Sequence, residues 1–230
     1  MSLSLAVMNS STFRHLFRTV LPGIVCLFMV SLAWASPAEE AAAKVEESTG
    51  ELVQKLNEER DTFYKDPEAF YAIMDSALTS VVDFERIALR VMGKYRRGAS
   101  ETQVTAFTDV FKRSMFRAYG KTLVETGEFK VNILGGEDNV RDAKRASVNL
   151  EVISSTGNKY PVVYAMYLNP QRGWLLENVV VNGVNVGLAF RDKFEQQYNE
   201  FNGNIDSVVS NWSPAIVDEQ LKSATESDDV

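Results

Sequence analysis

Histidine and cysteine are the side chains best suited to acid–base, nucleophilic and metal chemistry near neutral pH. This sequence holds one of each, His15 and Cys26. Both sit in a stretch that reads as a secretory address. Arg14, His15 and Arg18 are basic, no acidic residue precedes Glu39, and Ala33-Trp34-Ala35 places small residues at −3 and −1 ahead of Ser36. The apolar run between them, Val20 to Ala33, is 14 residues long, short of the roughly 18–20 that span a bilayer. Residues 1–35 are therefore expected to be a cleaved signal rather than an anchor. Val25, where a small residue would be needed, argues against lipidation at Cys26. The mature chain then has neither His nor Cys. That excludes a Cys/His zinc site, a cysteine nucleophile, a Ser-His-Asp triad and a disulfide, and leaves carboxylates, Lys, Tyr and Ser.

These remaining groups form no catalytic pattern. Glu137, Asp138 and Asp142 lack the alternating spacing of a calcium loop. Asp83 and Glu85, two apart, point to different sides of a helix. Gly135-Gly136 precedes an acidic loop rather than a helix start, and no GxGxxG or P-loop pattern occurs. Lys94, Arg96 and Arg97 form the densest basic cluster. They read either as contacts for a lipid phosphate or an acidic docking surface, or as a solvated turn between helices. The mature chain carries 22 basic and 31 acidic residues, a net charge of −9, which disfavours nucleic acid and anionic membrane surfaces as partners. One domain is expected over residues 36–212, followed by a polar, acidic tail, 213–230, whose composition fits disorder.

The first half must supply helices. Pro37 to Asp61 is rich in Ala, Glu and Lys with Val45, Leu52, Val53 and Leu56 at helical spacing. Asp66-Pro67 starts a second helix, ending near Val82 and carrying Phe70, Ile73, Met74, Ala77 and Leu78 inward. Asp83 caps a third that Gly93 stops. Ser100 opens the longest, with Val104, Phe107, Phe111, Met115, Ala118, Tyr119 and Thr122 on one stripe. The second half alternates with period two: a short strand at Phe129 to Leu134, loop chemistry at Gly135–Asn139, then strands at Arg145–Ile153, Tyr160–Leu168 and Trp174–Val181 joined by polar turns. Helical spacing returns at Val186, with a short helix near Ile205 to Trp212. Helices on one side of an antiparallel meander make an α+β fold.

Val91-Met92-Gly93-Lys94-Tyr95-Arg96-Arg97-Gly98-Ala99-Ser100, running into Phe107, Phe111, Tyr119 and Gly120, resembles the central block of the MlaC family. This is the periplasmic component of the Mla phospholipid transport pathway, also called the toluene-tolerance auxiliary family. Asp83-Phe84-Glu85-Arg86 is similar to the family's preceding motif, and Trp174, Val181-Asn182-Gly183-Val184-Asn185, Phe190-Arg191 and Phe194 to its last strand and following helix. The family usually has an acidic residue, glycine and serine within the Asn182–Asn185 turn, and commonly tyrosine at Phe190; this chain departs there. The resemblance implies an NTF2-like cone holding acyl chains in an apolar cavity, with the head group near the mouth. It also implies a periplasmic monomer with no cofactor besides phospholipid as cargo. Its implied partners are an outer-membrane lipoprotein–porin complex and an inner-membrane ABC transporter with its substrate-capturing subunit, the system that maintains outer-membrane lipid asymmetry.

A carrier needs an open-ended apolar container. The facing stripes nominate Phe107, Phe111 and Met115, then Val148 and Leu150, Tyr164 and Met166, and Val186 and Phe190 as its lining. Each of these residue types is equally at home in a plain core. Met115→Trp or Val148→Trp is expected to reduce lipid loading without unfolding the chain. Two other classes stay open: an enzyme of the isomerase or dehydratase type on the same scaffold, for which the inward stripes offer only Tyr119, Tyr160 and Tyr164, and a periplasmic chaperone or adaptor with an exposed apolar groove.

Overall fold

The computed structural model describes residues 35–125 and 129–214. The expected signal at residues 1–35 falls, except for Ala35, outside the described residues, as do the side chain of Thr122 and the tail beyond Pro214.

Local cap chemistry sets where the helices begin. Helix α1 (Pro37–Glu58) starts with a capping box in which the Ser36 hydroxyl accepts from the Glu39 amide and the Glu39 carboxylate accepts from the Ser36 amide. Asp66 caps α3 (Pro67–Thr79) and Asp83 caps α4 (Phe84–Met92), each carboxylate accepting an amide three residues on. Gly93, at φ 55°, ends α4 and leads into a 3-10 turn, Gly93–Gly98. Ser100 then accepts from the Gln103 amide at the start of α5 (Glu101–Glu125). Between α1 and α3 the chain breaks at Glu59 into a separate short helix, α2 (Arg60–Lys65), where one helix through Asp61 was expected. The break lets Phe63 turn edge-on to Phe70. Helix α3 stops at Thr79 rather than Val82, because Val81 and Asp83 exchange backbone hydrogen bonds with Leu176 on a strand.

The strands are β1 (Lys130–Asp138), β2 (Arg145–Ile153), β3 (Lys159–Asn169), β4 (Gly173–Val181) and β5 (Val184–Asn185), antiparallel neighbours in sequence order. Gly135–Asp138, read as loop, continue β1 past a bulge between Ile133 and Gly135. Contact with α1 holds them in the strand: the Asp138 carboxylate accepts from the Ala38 amide at 2.8 Å, and a Cβ on Gly136 would lie 2.5 Å from the Ala38 carbonyl oxygen. The two-residue β5 was not expected. It forms because Asn182 and Gly183 both take positive φ, 47° and 78°, as a tight two-residue hairpin turn requires. Helices α6 (Val186–Glu200) and α7 (Ile205–Ser210) complete an α+β fold, with Asn185 and Asn204 as caps.

Three apolar clusters form. In the first, α4, α5, α6 and α7 bury Phe107, Phe111, Phe190, Phe194 and Trp212, with edge-to-face contacts such as Phe107–Phe194 at 4.9 Å between centroids. In the second, Ala38, Ala41 and Val45 of α1 lie on Ala146, Val148, Leu150, Val162, Met166 and Trp174 of the sheet. The third joins Leu56, Phe63, Phe70, Met74 and Val124.

Candidate functional site

Where the three clusters meet, side chains do not close the space. A cavity of about 490 Å3 lies between the sheet, the second half of α1, α3, the middle of α5 and the start of α6. Its size falls in the range of roughly 300–1,000 Å3 that takes up a whole small ligand. Its wall is Leu52, Val53 and Leu56 from α1, Phe70, Met74 and Leu78 from α3, Ile87 from α4, and Phe111, Met115, Phe116 and Tyr119 from α5. The sheet adds Val131, Val152, Tyr160, Tyr164, Leu176 and Val179, and α6 adds Val186, Gly187 and Phe190. No Lys, Arg, Asp or Glu is among the lining residues.

Five of the nine residues nominated from sequence reach this wall: Phe111, Met115, Tyr164, Val186 and Phe190. The other four do not. Phe107 is fully buried in the helical cluster among Phe111, Phe194 and Trp212. Val148, Leu150 and Met166 share the apolar sheet face with Tyr164, but the small residues of α1 press directly on them. Sequence reasoning placed Leu52, Val53, Leu56, Phe70 and Met74 on helix stripes without assigning them to a cavity. Period alone does not distinguish a side chain that meets a neighbour from one that meets a hollow.

Lys94, Arg96 and Arg97 sit on the exposed 3-10 turn and none lines the cavity, so a head-group role within it is not supported by their position. The Lys94 ammonium lies 2.7 Å from the Glu195 carboxylate, and this hydrogen bond holds its pKa above the usual lysine value and that of Glu195 below the usual glutamate value. Among the described residues Arg96 and Arg97 have no ion-pair partner.

A second basic cluster was not anticipated. Arg86, Arg90 and Arg145 converge at 2.6, 2.8 and 2.7 Å on Glu177, which is only 3% exposed. Glu177 is the extra residue of the β4 bulge, since Ala165 pairs with Asn178 and Met166 with Leu176. Arg86 also lies over the Tyr167 ring, whose hydroxyl donates to Asp83. Arg86 and Arg90 lie one turn apart on α4, but Arg145 and Glu177 are distant in sequence, so no local signal marks the cluster.

The polar groups on the wall are few, and most are engaged. Asn178 donates to the Asn185 side chain and accepts from the Gly187 amide, both at 3.0 Å, and the Ser154 hydroxyl is bonded within its own turn. Burial pushes the Tyr164 phenol pKa above its ordinary value. Outside, a groove between α1 and β1 is lined by Glu46, Gly50, Asn132, Leu134 and Gly135. It shares Thr49, Val53, Phe129 and Val131 with the cavity. Those four residues border both spaces. Among the described residues no helix is long and apolar enough to cross a membrane.

Comparison with known proteins agrees with this architecture. The MlaC protein family model matches residues 46–213. The toluene tolerance protein ttg2D of Pseudomonas putida is 33% identical over 170 residues, covering 74% of this chain and 78% of that protein. Among solved structures, the phospholipid-binding protein from Ralstonia solanacearum, in complex with a phospholipid, superposes with a TM-score of 0.67 over 80% of this chain and 98% of its own. At 18% identity that likeness speaks to the fold. The family match runs from near the middle of α1 to the end of the described fold, and the chain belongs to the MlaC protein family.

Proposed function

We propose that the protein is a periplasmic phospholipid carrier whose apolar cavity shelters acyl chains between membranes. The observation that carries this reading is an interior hollow of about 490 Å3 with no charged residue on its wall. A diacyl lipid has on the order of 30 methylenes, and hiding them from water is worth roughly 24 kcal/mol gross at about 0.8 kcal/mol each. Association and ordering costs offset much of this. The membranes at either end hide the same chains equally well, so a shuttle needs an adaptable greasy wall rather than a tight polar site. Met74 and Met115 suit such a wall because an unbranched thioether adjusts to chains of different shape. The phospholipid carried by the solved structural neighbour supports the same reading.

An enzyme on this scaffold would need an ionisable group in the cavity, and among the lining residues only tyrosines qualify. The raised pKa of Tyr164 makes it a poorer base at neutral pH. The partners we assign follow the family: an outer-membrane lipoprotein–porin complex on one side and an inner-membrane ABC transporter with its substrate-capturing subunit on the other. Arg96 and Arg97, exposed and outside the cavity, are assigned to docking rather than to the lipid head group.

Gentle purification of the mature protein from the periplasm, followed by solvent extraction and mass spectrometry, tests the reading. Stoichiometric phospholipid is the expected result. A protein that yields no lipid, or a small polar ligand instead, contradicts it.

A further inference from the structure

Resting on the carrier reading, we infer that the Tyr164 hydroxyl is a hydrogen-bond donor for the ester carbonyl of the bound acyl chain, an internal polar anchor in an otherwise greasy cavity. Tyr164 stands at the middle of β3, opposite Val148 and Val179, and its side chain lines the cavity. The side chain is partly buried, and its hydroxyl has no hydrogen-bond partner among the described residues. On an apolar wall such a hydroxyl is satisfied by water or by a polar group of whatever enters the cavity. Asn178, also on the wall, is bonded to Asn185 and Gly187 and not to this hydroxyl.

The chemistry of the wall selects the acceptor. With no Lys or Arg lining the cavity, a phosphate or a free carboxylate placed at Tyr164 would lose its hydration without a counter-charge. A neutral carbonyl carries no such penalty. Burial also keeps the phenol protonated, which preserves its donor. The first uncharged acceptor along a phospholipid, counted from the chain end, is the acyl ester.

The test compares a dipalmitoyl phosphatidylglycerol with its dihexadecyl ether counterpart, which has the same chains and head group but no carbonyl. Delipidated protein is offered an equimolar mixture in vesicles, and the bound ratio is read by mass spectrometry. Wild type is expected to load the ester about 5-fold over the ether, the size that one neutral hydrogen bond supplies. Tyr164→Phe should load both equally. Tyr64→Phe, exposed on α2 and away from the cavity wall, should keep the preference. Without lipid, Tyr164→Phe should melt no lower than wild type, because its hydroxyl has no partner to lose among the described residues. Equal loading by wild type, a preference retained in Tyr164→Phe or lost in Tyr64→Phe, or a lower melting temperature for Tyr164→Phe would each overturn the anchor while leaving the carrier reading intact. If neither lipid loads, the carrier reading itself fails and the anchor with it.

Discussion

The two ends of the apolar sheet face use the same residue types and differ in what lies opposite them. At one end, Ala38, Ala41 and Val45 bring α1 down onto Ala146, Val148, Leu150 and Met166, and the contact is solid. At the other, α1 continues as Leu52, Val53 and Leu56, which lean toward α3 as well as the sheet, and Val152, Tyr160, Tyr164 and Val179 look into a hollow. Gly50, exposed and with open space around it, falls between the two stretches. The difference teaches that a cavity is made by the partner element. Small residues permit close approach and filling, whereas larger ones at greater separation frame a void that neighbours do not collapse into.

Substitutions that add bulk to each end should separate the two regimes. The largest effect is expected at the packed end. Val148→Trp forces an indole where α1 already touches the sheet, and should cost about 3 kcal/mol, near the top of the overpacking range. Denaturant unfolding measures this. The sequence-based expectation that it would merely block loading is thereby replaced. A fold that tolerates Val148→Trp would mean that the packed end has room after all.

At the β4 bulge, where packed sheet gives way to hollow, Glu177→Gln leaves three guanidiniums without their shared carboxylate. Breaking a fully buried pair costs roughly 3–5 kcal/mol, and because these arginines are partly in water the expected loss is about 2 kcal/mol. Chemical denaturation at low and high salt reads it. Unchanged stability would show that the bulge holds without the clamp.

At the hollow end, Met115→Trp should leave stability within about 1 kcal/mol of wild type, since the indole enters existing space, while lipid loading falls sharply. Unchanged loading would remove Met115 from the lipid's path.

The smallest effect is alkaline. A tyrosine whose pKa is raised on folding contributes stability that is fully present below its unfolded value, near 10.0, and is lost as pH rises through the raised folded value. Tyr164→Phe should therefore lose less stability than wild type above about pH 10. Tyr167, also raised by burial, titrates in both proteins, so the difference belongs to Tyr164. Parallel pH profiles would mean that Tyr164 is wetter than its surroundings suggest.

The elements were legible where chemistry is local. Asp66-Pro67, Asp83, Gly93 and Ser100 each act as the sequence implied, and the alternation of β2, β3 and β4 marks the face turned toward α1 and the cavity. What was not legible depended on contacts across the chain. Gly135-Gly136 looks like a turn until Ala38 packs on it, and Glu177 looks like any strand glutamate until three arginines reach it. The site divides the same way. Phe111, Met115 and Tyr164 face inward by period, as do Phe107, Val148 and Met166, and only the separation of the facing helices decides which of them meets a ligand.

The central claim is that acyl chains occupy the hollow end and not the packed one. A crystal structure of the protein loaded with a phospholipid brominated along its chains tests it most directly. Anomalous bromine peaks are expected in contact with Met115, Tyr164 and Leu52, and none between Ala41 and Val148. Peaks confined to the outer surface, or a cavity closed by repacked side chains with lipid bound elsewhere, would contradict it.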